Sequence, residues 1–128
     1  MLFRSEDCFE VLSLDNLFDM PDMRWLVDAF IAEASLTVVF GAPSCGKSFI
    51  ILGLALSLTA RMKQWWGREI EHSGPVIYIA SEGIMDMKYR VEAWCIEHGV
   101  DRRTLPLHFI RESVQFTKES DEIGRAHV

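Results

Sequence analysis

The feature that most constrains the fold is a short apolar, β-branched run, Leu36-Thr37-Val38-Val39-Phe40, set directly against Gly41-Ala42-Pro43-Ser44-Cys45-Gly46-Lys47-Ser48. A long apolar stretch follows from Phe49. The middle eight residues fit the spacing GxxxxGK[ST], which carries a mechanism when it joins a strand to a helix. A phosphate chain is a dense cluster of negative charge, and such a loop places successive backbone N–H donors around it at the positive end of the helix. Gly41 and Gly46 permit the sharp turn and the close approach of the backbone. Lys47 supplies a flexible positive charge for the β- and γ-phosphates, and the Ser48 hydroxyl is placed to ligate magnesium. Ala42, Pro43, Ser44 and Cys45 shape the loop through their backbone, and Phe49 closes the nucleotide-binding stretch 41–49. These residues imply binding of a nucleoside triphosphate with Mg2+, with ATP the expected nucleotide.

The flanking pattern extends this into a fold class. Residues 36–40 read as a buried parallel strand. Residues 47–60 are apolar almost all round the helical wheel, as suits a helix buried between a sheet and its neighbours. Val76-Ile77-Tyr78-Ile79-Ala80 is a second strand, and Met87, Val91, Trp94 and Cys95 recur at three- and four-residue steps in a helix over 85–98 that stops at Gly99. Leu107-His108-Phe109-Ile110 is a candidate third strand. Strands alternating with helices predict an α/β fold with a parallel sheet covered by helices on both faces. The strands account for about half of a P-loop ATPase sheet, so the expectation is an incomplete, N-terminal part of such a domain within a single unit over 1–128.

Within that unit, residues 1–34 form a lead-in segment, 35–110 the P-loop core and 111–128 an irregular or truncated tail. Leu12, Leu14, Leu17 and Phe18 settle on no clean period, leaving a short helix or an extended lead-in. Trp25, Leu26, Val27, Phe30 and Ile31 fall near helical spacing and are expected to pack on the core. Residues 61–73, with Trp65, Trp66 and Gly67, read as an irregular connection.

Composition narrows the function classes. A net charge of -6 argues against a chain that grips nucleic acid over its whole surface, although a local basic patch is compatible with it. Cys8, Cys45 and Cys95 stand at wide spacings that fit neither a disulfide framework nor paired zinc knuckles, which points to a reduced, cytoplasmic chain. Glu6 and Asp7 stand where a secretion signal would begin with positive charge. The longest apolar run, 49–58, is too short to span a bilayer, so no membrane anchor is expected.

Hydrolysis needs more than phosphate binding: a group must orient or deprotonate the attacking water. Glu82 directly follows the strand 76–80, and ligands of open α/β sheets bind beyond the carboxyl ends of the strands. The bland alternative for Glu82 is a carboxylate that stabilises a helix N-terminus. Trp65, Trp66 and Trp94 offer faces that stack on bases, with core or interface packing the favoured reading. Arg102 and Arg103 beside Asp101 read as a solvated turn, and Cys45 as a small tolerated loop residue.

The run from Leu36 to Ser48, the following apolar helix, Trp66-Gly67, the stretch Gly74-Pro75-Val76-Ile77-Tyr78-Ile79-Ala80-Ser81-Glu82-Gly83, and Arg90 with Ala93-Trp94 resemble the RecA-like ATPases of the RepA-type replicative helicase group. The resemblance covers about residues 25–110. It implies that Glu82 is the catalytic base acting with Lys47, that Arg90 supports the site, that the domain assembles as a homo-oligomer, commonly a hexamer, and that ATP turnover drives movement along single-stranded DNA. The chain departs from that group in showing no second apolar strand ending in aspartate, the Walker B feature. The alternative is therefore a nucleotide-binding and assembly module, or a truncated remnant, without turnover of its own.

Overall fold

The computed structural model describes residues 9–81 and 83–112. Its organising element is the helix α2, Lys47–Thr59, whose second half is buried from Leu52 onward. Two stripes at four-residue spacing explain why it sits at the centre. Leu54 and Leu58 join Val27, Trp65 and Ile70 in one cluster, while Leu52 and Leu56 join Met87 in another on a different side of the same helix. The all-round apolar pattern is thus used on two faces, as the sequence predicts.

The first cluster is closed by small β elements. A short helix, α1, Leu14–Phe18, is N-capped by Ser13, whose Oγ accepts from the Asn16 N–H at 3.1 Å. Then β1, Trp25–Val27, pairs antiparallel with β2, Ile31–Ala32. This corrects the helical spacing read over residues 25–31: in so short a stretch, alternation carries Val27 into the core and leaves the turn at 28–30 outside. The connection after α2 is also ordered, as an antiparallel pair of β3, Gln64–Trp65, and β4, Arg68–Glu69. The Asp28 N–H donates to the Glu69 carbonyl at 2.8 Å and the Glu71 N–H to that of Leu26 at 3.0 Å, joining the two ribbons.

The second cluster carries the parallel sheet. β5, Val76–Ile79, pairs in parallel with β6, Leu107–Ile110, in the register Val76↔Leu107 to Ile79↔Ile110, and α3, Ile84–His98, joins them. Both strands and the helix fall where the sequence places them. The Gly99 cap ends α3 with the Val100 N–H bonded to the Cys95 carbonyl at 2.9 Å, the Schellman arrangement. Arg102–Thr104 is an exposed 3-10 turn in which an Asp101 carboxylate oxygen accepts from the Arg103 N–H at 3.0 Å, as the solvated-turn reading predicts.

Two expectations about the sheet fail. Tyr78, Leu107 and Phe109 pack against the Leu52, Leu56 and Met87 cluster, whereas Ile77 lies exposed, so the described residues cover one face of the pair rather than both. Residues 36–40 form no strand: Leu36 is 92% and Phe40 90% exposed. A strand exists only with a ladder partner, and among the described residues the sheet stops at β5 and β6, with 36–40 on neither outer edge. The apolar pattern of 36–40 reports a capacity for burial that the described residues do not use.

Candidate functional site

The loop between residue 40 and α2 is built by local backbone rules. Gly46 is the N-cap of α2 in the left-handed region at φ 94°, a conformation that favours glycine. The first α-helical bond runs from the Ile50 N–H to the Gly46 carbonyl at 3.1 Å. The N–H groups of Lys47, Ser48 and Phe49 precede it, at the end where a helix carries its positive partial charge. Gly41 is close-packed for a different reason: a Cβ there would stand 2.9 Å from the Cys45 Sγ, so the exposed Cys45 side chain would have to turn away. Ser44 also adopts a positive φ of 61°, so the loop turns sharply at its midpoint.

Lys47 reaches back over this loop. Its Nζ donates to the carbonyls of Gly41 at 2.7 Å and Ala42 at 2.8 Å and lies 3.8 Å from the Cys45 Sγ. The ammonium is therefore held above the turn by neutral acceptors, which phosphate oxygens outbid as charged ones. Ser44, Gly46, Lys47, Ser48 and Phe49 line an open cavity of about 450 Å3, and the remaining wall is Arg90 from α3. The Arg90 guanidinium sits 4.0 Å from the centre of the Phe49 ring, a close cation–π contact. A helix start, two cations and a hydroxyl thus converge on one concavity. That set of donors fits a triphosphate with its magnesium: the loop N–H groups and Lys47 would hold phosphate oxygens, and Ser48 would ligate the metal.

Glu82 lies outside the described residues. The connection it belongs to runs between the end of β5 at Ile79 and the start of α3 at Ile84. Among the tryptophans, Trp65 is buried in the Val27 cluster and Trp94 packs against the Leu52 cluster, as the packing reading predicts. Trp66 does not: it is 78% exposed. The resemblance offers Arg90 as a site-supporting residue; its seat on Phe49, far away in the chain, comes from the packing of α2 against α3.

Loop, helix and parallel pair define the class as an α/β nucleotide-binding P-loop domain. A family model described as an AAA domain matches residues 6–126, and the chain belongs to that family. The chain is accordingly a nucleotide-binding, ATPase-like domain, of a family whose members generally bind ATP with Mg2+. No curated protein and no solved structure matches it. No helix of the described residues is long and apolar enough to cross a membrane.

The two described cysteines differ in a way that reports on the site. Burial pushes the Cys95 thiol above its ordinary pKa, Asp101 adds to the rise, and Arg102 opposes it. Cys45 is exposed on the phosphate loop. In a Cys8→Ser background, a thiol reagent at neutral pH should modify Cys45 in the folded protein and Cys95 only after unfolding, with Mg-ATP slowing the reaction at Cys45. Peptide mass spectrometry after timed labelling reads this; equal rates at both cysteines would contradict the burial.

Proposed function

We propose that the chain binds ATP with Mg2+ through residues 41–49 and works as a RecA-like ATPase of the RepA-type replicative helicase group, acting on DNA in replication or in a mobile element. The observation that carries the nucleotide part is the convergence of Lys47, the α2 N-terminus, Ser48 and Arg90 on one cavity. The finer assignment rests on the sequence resemblance, in which Glu82 follows the strand before α3.

In this reading Lys47 and the loop N–H groups hold the β- and γ-phosphates, and Ser48 holds the metal. Glu82 accepts the proton of the attacking water as general base. Arg90 supports the nucleotide from the α3 side, where its position against Phe49 keeps a second positive charge on the wall of the cavity that Lys47 also lines. Preorganised charge of this kind stabilises the charge that develops as the terminal phosphoryl group transfers.

The test is phosphate release by the full-length chain with and without single-stranded DNA. Stimulation by DNA supports the helicase assignment. ATP binding with neither turnover nor oligomeric state responding to DNA contradicts it and leaves the second reading, a nucleotide-binding module that needs an assembly partner. One observation favours that alternative: among the described residues the apolar segment 36–40, next to the phosphate loop, is exposed and has no strand partner.

A further inference from the structure

Phe49, which closes the phosphate cavity, also lines a second open concavity of about 340 Å3. Its other walls include Trp65 and Trp66 from the β3–β4 ribbon, Trp94 from α3 and Gly53 from α2. The volume lies within the range of small-molecule sites, about 300–1,000 Å3. Phe49 and Gly53 are four residues apart on α2, so they share a helix face and stand about 6 Å apart along the axis. A ligand whose phosphates sit at the start of α2 therefore finds its next enclosed space over Gly53.

Three features of that space suit a planar ring with hydrogen-bonding edges. The first is Gly53 itself. A glycine inside a helix is destabilising relative to alanine, and packing does not demand one here: among the described residues, the single atom within 4 Å of an added Cβ would be Trp65 Nε1, at 4.0 Å, an ordinary contact. The missing side chain leaves the floor of the concavity open. The second is the donor at that floor. The Trp65 N–H is buried and has no acceptor among the described residues, an arrangement that costs free energy until an acceptor arrives. The Ser57 hydroxyl on the same wall is engaged with the Gly53 carbonyl, to which it donates at 2.7 Å. The third is Trp66. Trp66 and Gly67 take left-handed φ values of 50° and 75°, as a two-residue hairpin turn of the primed type requires. A tryptophan is uncommon at the first of those places, and the turn holds this one out at the rim, opposite Trp94.

We infer that this concavity holds the base of the nucleotide whose phosphates occupy residues 41–49, and that it selects a purine. The base lies over Gly53 with Trp66 against its face, and a ring nitrogen accepts from the Trp65 N–H. The Gln64 amide on the rim serves the remaining polar edge. A purine is favoured over a pyrimidine because its larger ring system covers more of the aromatic wall. The inference rests on phosphate binding at the loop and adds a base preference to it.

The experiment is calorimetric titration of the full chain, in Mg2+, with ATP, CTP and inorganic triphosphate in turn. ATP should bind at least fivefold more tightly than CTP. Trp66→Ala and Gly53→Ala should each weaken ATP binding fivefold or more, while inorganic triphosphate stays within a factor of about two of wild type. Gly53→Ala should not lower the melting temperature, since alanine is the better helix former. Equal affinities for ATP and CTP, or variants that hold ATP as tightly as wild type, would overturn the inference and leave the phosphate site standing wherever triphosphate still binds. A chain that binds none of the three would overturn both.

Discussion

Lys47→Ala should weaken Mg-ATP binding tenfold or more while leaving the fold intact. The Lys47 ammonium lies over the turn of the phosphate loop, on the Gly41 and Ala42 carbonyls, and is a charge-assisted donor for phosphate oxygens. A hydrogen bond to a charged group contributes about 1.5–3 kcal/mol, so losing this contact should raise Kd by roughly tenfold to a hundredfold. The truncated side chain also leaves the α2 N-terminus without the cation that helps balance the phosphates. Stability should change little, because the bonds lost are made to exposed loop carbonyls and alanine is the best helix former. A thermal melt beside a binding titration separates the two effects; a variant that binds as tightly as wild type would remove Lys47 from the site.

The second large effect is expected at Glu82. Glu82→Gln keeps the size and polarity of the side chain and removes its ability to take a proton. If Glu82 is the general base, phosphate release should fall by about 10²–10⁴-fold, while ATP affinity stays within a factor of about two. Parallel measurement of turnover and Kd checks this. Unchanged turnover in the variant would return Glu82 to the bland role of a carboxylate near a helix start, and a wild-type chain without turnover would favour the module reading.

Much of this architecture was legible because its signals are local. The two i, i+4 leucine pairs of α2, the run 76–79 and the Gly99 stop of α3 are each specified within a few residues, and each lies where the pattern places it. The turn at Gly46 into α2 was legible for the same reason, since the residues that build it are contiguous. Where the reading failed, a tertiary partner decided the outcome. Residues 36–40 have the composition of a central strand, but composition cannot name the strand that would pair with them. Residues 25–31 are too few to separate a helical from an alternating period, and the two-residue strands at Trp65 and Arg68 are shorter than any periodic signal. Trp65 and Trp66 are adjacent and chemically identical, yet the turn buries one and exposes the other. The resemblance marked Arg90 for the site, while its seat on Phe49 depends on the contact of α3 with α2, which no spacing along the chain encodes.

The central claim is that residues 41–49 form a working nucleotide site. Calorimetric titration of the full-length chain with ATP in the presence of Mg2+, run beside Lys47→Ala, tests it most directly. The expected result is saturable binding at one site per chain that is weakened tenfold or more in the variant. A folded wild-type chain that takes up no ATP, or equal binding by both proteins, would contradict it.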